Sequence, residues 1–263
     1  MSAAVPLRLP ESVRTGALAE AADRFDVADP RDLERASLQR RYDRKFILRA
    51  DRAASVLATV GDDYRVVLAG DERFARYDTM YFDTPSLRCY HDHRRGRRPR
   101  YKVRIRNYLD RALSMLEYKE KTGRGDTRKL RWRRPCLDAT LSAADEARLR
   151  EGAPGLFAEE ALVPQARTVF YRLMIISKHS VERATLDFQL VFERGDARAT
   201  LDALTVAEVK DCGRGAASPL VSALRGAQAR VLPFSKYCVA IALLGHERAN
   251  AFMPSLRAIE GGF

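Results

Sequence analysis

Charged side chains recur at every second position in several segments, and this pattern limits the folds open to the chain more than any other feature. Between residues 100 and 108, Lys102, Arg104 and Arg106 alternate with Val103 and Ile105. Successive side chains of a β-strand point to opposite faces, so the three cations share one face and the apolar residues share the other. The pattern predicts a sheet with one strongly charged face.

Further segments show the same alternation of charged and uncharged residues. Their charged members are Glu117, Lys119 and Lys121; Lys129, Arg131 and Arg133; Arg183 and Asp187; Glu208 and Lys210; and Asp43 and Lys45. Consecutive strands with helical patterns at either end favour an antiparallel sheet over alternating βαβ units. The sequence therefore predicts an α+β fold in which an antiparallel β-barrel forms a basic tunnel and is flanked by helices.

Two environments can explain the charged face. Half-exposed antiparallel strands normally turn polar side chains to water, so a solvated outer face accounts for any one strand. Cations repeated in blocks repel one another, however, unless an anion lies between them. A closed sheet with this face inward would form a tunnel for a polyphosphate-like ligand. Its carboxylates would be oxygen ligands for Mg²⁺ or Mn²⁺ carried by that ligand: Asp43, Glu117, Asp187 and Glu208.

Composition indicates the class of partner. The chain has 47 Lys and Arg residues against 35 Asp and Glu, a formal charge of +12, which points to phosphates, nucleic acid or an anionic surface.

The longest apolar run, Cys238–Leu244, is far shorter than the roughly 20 residues of a membrane span. The first residues lack the pattern of a secretory signal, and the four scattered cysteines fit no disulfide framework. We expect a cytoplasmic protein without a membrane span, whose oligomeric state the sequence does not define.

The chain divides into three regions by pattern. Residues 1–40 predict a helical N-terminal extension, residues 41–245 contain the strand-rich domain, and residues 246–263 predict a loosely ordered C-terminal tail.

Three local motifs have both a structural and a functional interpretation. Residues 88–106 include nine Lys or Arg and form either a polyanion-docking surface or a solvated loop around 94–100. His91 and His93 form an HxH pair, for which zinc is the weaker interpretation. Ser235 and Lys236 open the last predicted helix, where an N-cap and a lysine either bind phosphate or merely cap the helix.

Several function classes lack their sequence signatures. Neither a P-loop motif nor GxGxxG occurs. Nucleic-acid binding favours aromatic residues among the cations for base stacking, and Tyr101, Tyr108 and Tyr118 are expected on the face opposite the cations. This placement disfavours nucleic acid as a partner.

At the charged strands the chain resembles the VTC-type polyphosphate polymerase domain, a branch of the triphosphate tunnel metalloenzymes. The resemblance covers about residues 40 to 245 in the family's order, and residues 41–245 are accordingly identified as the VTC-like domain. The matching stretches are Arg41–Phe46, Tyr81–Thr84, Lys102–Tyr108, Leu116–Lys121, Phe170–Arg172, Arg183–Asp187, Ala207–Lys210 and Ser235–Tyr237.

The resemblance implies roles for named residues, which join those suggested by the alternation. It implies that the phosphate-binding cations are Lys45, Arg104, Arg106, Lys119, Lys129, Arg172, Arg183 and Lys236. Supporting contacts to substrate are expected from Lys102, Lys121, Arg131, Lys210 and Ser235. Glu208 is expected to be the principal ligand of Mn²⁺ or Mg²⁺, joined by Glu117 and Asp43.

The chain also departs from the family pattern at two places. The first strand of the superfamily often has Glu-x-Glu-x-Lys, whereas Arg41 and Asp43 occupy the first and third positions here. Phe170 stands where the family usually has Tyr, so a hydroxyl is missing.

The expected activity is metal-dependent transfer of the terminal phosphoryl group of a nucleoside triphosphate to polyphosphate. Water as the acceptor would instead make the protein a tripolyphosphatase or nucleoside triphosphatase. A third hypothesis is a noncatalytic module that binds polyphosphate or RNA.

Overall fold

The computed structural model describes residues 16–35, 42–156, 160–212 and 218–260. Its helices are α1 Ala17–Asp23, α2 Pro30–Arg35, α3 Ala50–Thr59, α4 Arg88–Arg94, α5 Ala143–Gly152, α6 Pro219–Gly226, α7 Lys236–Leu244 and α8 Met253–Glu260. Its strands are β1 Asp26–Val27, β2 Tyr42–Arg49, β3 Tyr64–Val66, β4 Phe74–Asp83, β5 Arg100–Tyr108, β6 Leu113–Lys121, β7 Thr127–Arg134, β8 Val163–Ser177, β9 Arg183–Arg194, β10 Ala197–Leu201, β11 Leu204–Asp211 and β12 Arg230–Val231.

The strands of the described ranges form one large sheet. Its hydrogen-bonded order is β12-β2-β11-β9-β8-β4-β5-β6-β7, with β10 beside β9 and β3 beside β8. All pairings are antiparallel except the short pair of β1 with β3. The predicted strands at 100–108, 113–121 and 127–134 coincide with β5, β6 and β7. The predicted α+β class, an antiparallel sheet with flanking helices, is confirmed.

The sheet is curled, which gives it the barrel-like form of the predicted tunnel. The strand register shifts between Tyr81 and Phe82 where β4 meets β8, and between Val169 and Tyr171 where β8 meets β9. Such irregularities bend a strand and increase its twist. Between β7 and β12, at the two ends of the strand order, the described residues form no ladder that would close the barrel.

Helices cover the apolar outer face of the curled sheet. Val103 and Ile105 of β5 pack with Leu149 of α5, while Phe46 of β2 packs with Leu57 of α3. Each fully buried side chain of this size stabilises the fold by about 1.5–3 kcal/mol. The cation-bearing positions of the same strands are therefore left on the inner face. Within the described ranges, no helix has the length and apolar character required to cross a membrane.

Helix α7 packs against the inner face rather than the outer one. Val239 and Ile241 of α7 lie in a cluster with Ile47, Phe170 and Val206 from three strands. The apolar part of this face thus holds α7 in place, and the first residues of α7 come close to the charged positions.

The structure agrees with the predicted helices near the N-terminus but not with the predicted loose tail near the C-terminus. Helices α1 and α2 lie where a helical extension is predicted, whereas residues 1–15 and 36–41, including Arg41, are outside the described residues. The prediction of a loose tail from His246 is wrong for the described part, because α8 is helical and Phe252 and Leu256 are buried against the α7 cluster. The domain boundaries at 40 and 245 stay predictions.

Candidate functional site

The strand registers place the predicted charged residues on one face of the sheet, because opposite residues in an antiparallel pair share a face. Arg104 is opposite Glu117, and Glu117 is opposite Arg131. Four further sets of residues are likewise opposite one another on neighbouring strands: Lys102, Lys119 and Lys129; Lys45 and Glu208; Asp43, Lys210 and Arg183; and Arg172 and Asp187. Arg106 and Lys121 continue the alternation on β5 and β6, and Ser235 and Lys236 begin the helix that packs on this face. We call this the charged face.

Lys45, Lys102 and Lys119 form one cluster on the charged face, although β2 is far from β5 and β6 in strand order. The Nζ of Lys45 donates a hydrogen bond to the carbonyl of Phe234 at 2.6 Å. The Nζ of Lys102 donates to the hydroxyl of the next residue, Ser235, at 2.9 Å. Two distant strands therefore meet at the start of α7, and the curl of the sheet is what brings them there.

The pKa values within this lysine cluster show its positive potential. Burial, followed by the charges of Lys102, Lys129 and Lys45, lowers the pKa of Lys119 to about 8. Burial, followed by the charges of Lys102, Arg100, Lys45 and Lys119, lowers the pKa of His93 to about 2, so its ring is neutral at pH 7. An anion placed among these groups would relieve both effects.

Glu117 is the centre of a second cluster, formed with arginines. Its carboxylate is 5% exposed; Arg104 donates to it from Nε at 2.6 Å, and the Nε of Arg131 lies 3.0 Å away. Arg106 is within 3.9 Å. Burial alone would raise the pKa of Glu117, but the three arginines outweigh it and hold the pKa at about 2. Glu117 is therefore an anion that orients arginines, and a metal there would compete with them.

Asp187 is the centre of a third cluster. Arg172 binds it with two hydrogen bonds, Nε to Oδ1 at 2.6 Å and a second guanidinium nitrogen to Oδ2 at 2.8 Å. Lys236 donates to the same carboxylate. Burial would raise the pKa of Asp187, but Arg172 and Lys236 lower it to about 2. Two predicted phosphate-binding cations are thus fixed in position by one buried carboxylate.

Glu208 lies between the lysine cluster and the Asp187 cluster. It accepts a hydrogen bond from Lys210, and its side chain is 22% exposed. Burial opposes ionisation, but Lys45, Lys210 and Arg172 together hold its pKa well below the ordinary range. Asp43 is exposed and opposite Lys210.

The described part of the chain contains no group of three or more His, Cys, Asp or Glu side chains that could hold a metal. Mg²⁺ at phosphate sites is usually bound by one or two carboxylates, with the phosphates and water supplying the remaining ligands. Glu208, an ionised and accessible carboxylate, fits a metal that arrives with its phosphates.

Sequence reasoning missed a set of β4 residues that lines the charged face. Tyr81 is opposite Arg104 and Thr79 is opposite Arg106, whose Nε donates to the threonine hydroxyl at 3.2 Å. Burial would raise the pKa of Tyr81, but Arg104, Arg106 and Lys236 lower it to about 8. The alternation of Tyr77, Thr79 and Tyr81 is itself a period-two pattern, and it could have identified them.

Aromatic rings also contact the cations directly. The Nζ of Lys236 lies 4.4 Å from the centroid of the Phe170 ring, and the guanidinium carbon of Arg172 lies 5.2 Å from it. Cations are attracted to the face of an aromatic ring. Phe170 therefore positions two cations without the hydroxyl that the family usually has there.

The prediction that Tyr108 lies on the face opposite the cations is wrong. Tyr108 is opposite Tyr77, on the charged face, and its hydroxyl is 3.5 Å from the Glu117 carboxylate. Its even position matches that of Lys102, so the strand period itself places it there. Tyr101 and Tyr118 are in the outer core, as predicted.

The HxH pair and the basic loop lie on and after α4. Helix α4 contains the HxH pair; His91 faces Glu247 at 3.7 Å and His93 stacks on Phe252. Arg95, Arg97 and Arg98 follow α4 as an exposed basic loop.

Comparisons with known proteins show what the chain is similar to. A family model for the VTC domain matches residues 40–245. A search of curated proteins found no match. Among solved structures, the chain is similar to a putative adenylyl cyclase, HpAC1 from Hippeastrum, described as having a dominant triphosphatase activity; identity is 14%, coverage is 76% of this chain and 94% of that chain, and the TM-score is 0.44. It is also similar to the PH1819 protein from Pyrococcus horikoshii OT3, at 11% identity, 74% and 92% coverage and a TM-score of 0.39.

The VTC match extends over most of the sequence and includes every residue of the three clusters. The predicted family is confirmed on this basis: the chain belongs to the VTC domain family.

Proposed function

We propose that the protein transfers the terminal phosphoryl group of a nucleoside triphosphate to a polyphosphate chain, in a metal-dependent reaction. Membership of the VTC domain family supports phosphoryl chemistry on triphosphates. The observation that carries the proposal is the convergence of Lys45, Lys102 and Lys119 from separate strands, where, among the residues that the structure describes, none of the three forms a direct ion pair with a carboxylate. Only a ligand with several negative charges would neutralise such a cluster.

The charged face offers what phosphoryl transfer requires, which is positioning and charge stabilisation rather than covalent catalysis. Arg104 and Arg172 are held by the carboxylates of Glu117 and Asp187, so their remaining N–H groups are oriented before substrate binds. Lysines offer compact charges that follow a phosphate as it moves.

We assign the transferring phosphates to Lys45, Arg104, Arg106, Lys119, Arg172, Arg183 and Lys236. We assign the rest of the phosphate chain to Lys102, Lys121, Lys129, Arg131, Lys210 and Ser235. Glu208 would hold Mg²⁺ or Mn²⁺, with Glu117 and Asp43 as further candidates. Such an ion, when bound, would neutralise negative charge on the phosphates of the donor.

The reaction balances without a general base. A terminal oxygen of the polyphosphate acceptor attacks the γ-phosphorus of the donor and forms the new P–O bond. The bond from that phosphorus to the bridging oxygen breaks, and the nucleoside diphosphate leaves with the electron pair. The attacking oxygen is already ionised at neutral pH, so no side chain has to remove a proton from it.

The test uses purified protein, ATP, Mn²⁺ and a short polyphosphate primer, with products separated by size. Chains longer than the primer, formed together with ADP, support the proposal. Free phosphate alone would identify water as the acceptor and make the protein a tripolyphosphatase or nucleoside triphosphatase. Tight binding of polyphosphate with no turnover would leave a noncatalytic binding module.

A further inference from the structure

Residues 232–235, which connect β12 to α7, contact two lysines of the lysine cluster. The first residue of this connection donates its backbone N–H to the carbonyl of Lys45 at 3.1 Å. The ammonium group of Lys45 donates in turn to the carbonyl of Phe234, and Lys102 donates to the hydroxyl of Ser235. The position of the connection therefore determines where two of the three ammonium groups lie.

Helix α8 holds the same connection from another side. The hydroxyl of Ser255, in α8, donates a hydrogen bond to the carbonyl of Pro233 at 3.1 Å. Ser255 is fully buried, at 0% exposure. The ring of Phe234 packs in the same apolar cluster as Phe252 and Leu256. Two consecutive carbonyl groups thus accept one hydrogen bond from α8 and one from the lysine cluster.

The C-terminal segment, residues 246–260, is itself fixed to α4. The hydroxyl of Tyr90 donates to the carbonyl of Arg248 at 2.9 Å. The rings of Tyr90 and His93 lie against the ring of Phe252, with centroids 5.6 and 6.0 Å from it. The C-terminal segment therefore connects α4 to the residues that precede α7, and it has little freedom to move away from them.

This support comes from outside the part of the chain that matches the VTC domain, which ends at residue 245. Ser255 donates its hydroxyl to a backbone carbonyl, so it would act on a ligand through the lysines rather than by contact. Side chains that are already held in place lose less freedom when a ligand binds, and affinity rises accordingly.

We propose that Ser255 is a positioning residue for phosphate binding: through Pro233 it fixes the connection that orients the ammonium groups of Lys45 and Lys102. The inference rests on the proposed function for the ligand of the lysine cluster, but it concerns binding and is measurable without turnover.

The test measures the Kd of inorganic tripolyphosphate, with Mg²⁺, by calorimetry on the full chain. Ser255→Ala removes the hydroxyl, and we expect the Kd to rise about threefold to tenfold, the effect of one lost hydrogen bond. Ser114→Ala is the matched control, because Ser114 is also buried and its hydroxyl accepts from Arg134 on the outer side of the sheet. The control should leave the Kd unchanged.

A second comparison separates positioning from a general loss of stability. A background with Lys45→Ala and Lys102→Ala lacks the ammonium groups that Ser255 is proposed to position. Adding Ser255→Ala to this background should leave its Kd unchanged, because the substitution then has nothing to act through. A merely structural role would weaken binding equally in both backgrounds, and that result would overturn the proposal.

Should Ser255→Ala not fold, two variants of equal shape decide. Ser255→Thr keeps a hydroxyl and Ser255→Val replaces it with a methyl group, so the Kd should be higher in Ser255→Val. Equal Kd values in the two variants would refute the positioning role. Failure of the parent protein to bind tripolyphosphate would refute the proposed function and this inference together, whereas binding that Ser255→Ala leaves unchanged would refute this inference alone.

Discussion

Lys102 of β5 donates a 2.9 Å hydrogen bond to the hydroxyl of Ser235, the residue that caps α7. The same hydroxyl accepts the backbone N–H of Cys238 and so completes the first turn of the helix. One side chain therefore links the interior helix to the lysine cluster. The positive end of the helix dipole adds to the charge of the cluster, and both favour an anion there.

Glu208→Gln should abolish most of the turnover while leaving binding of the phosphate chain. The substitution removes the negative charge proposed to hold the metal, and metal stabilisation of phosphoryl transfer is worth several kcal/mol. We expect kcat with ATP and Mn²⁺ to fall by about 100-fold or more. Glu120→Gln, which removes a carboxylate from the other face of β6, is the control and should retain activity. Unchanged kcat in the Glu208 variant would exclude Glu208 from the metal site.

Affinity for a triphosphate should weaken as pH rises through 8. The pKa of Lys119 is lowered to about 8 by burial and by neighbouring lysines, and only its protonated form attracts phosphate. Below that pH the ammonium is already present; above it, binding must take up a proton. Kd values of a nonhydrolysable triphosphate between pH 7 and 9.5 measure this. Lys119→Arg keeps its charge over the range and should flatten the profile, whereas an equally steep profile in this variant would assign the effect to another group.

Asp187→Ala should destabilise the fold strongly, because it leaves Arg172 and Lys236 buried without their shared carboxylate. Removing one partner of a buried pair costs about 3–5 kcal/mol. Asp51→Ala is a matched control, since the Arg49–Asp51 pair is exposed to water, which screens the two charges. Urea unfolding of both variants provides the comparison. Similar losses would show that Asp187 contributes no more than a surface ion pair.

Acid should unfold the protein partly through Glu117. Its pKa is about 2 in the folded protein against an ordinary value of 4.5. A carboxylate with a lowered pKa contributes stability above its unfolded pKa, and this contribution, about 3 kcal/mol here, is lost as pH falls from about 5 to 2. The free energy of unfolding of Glu117→Gln should therefore depend less on pH in this window. An unchanged slope would contradict the ion-pair cluster.

The period-two pattern of the strands predicted much of the sheet, because this pattern depends only on the alternation of side chains along an extended backbone. It defined β5, β6 and β7 and placed Arg104, Lys119 and Glu208 on one face. Applied consistently, it would also have placed Tyr108. The strand period could not show that Glu117 and Asp187 bind arginines. Each of these ion pairs joins side chains on neighbouring strands, and it depends on which strands are paired and in which register.

Tertiary structure alone decided which parts of the charged face meet. The alternation of side chains between the two faces of a strand can be predicted from the sequence, because it depends only on the conformation of neighbouring residues. The approach of Lys45 to Lys102 depends on the curl of the whole sheet, and the helical order of α8 depends on apolar contacts with α7. These features arise from the sum of many weak contacts between distant residues, which no short stretch of sequence records.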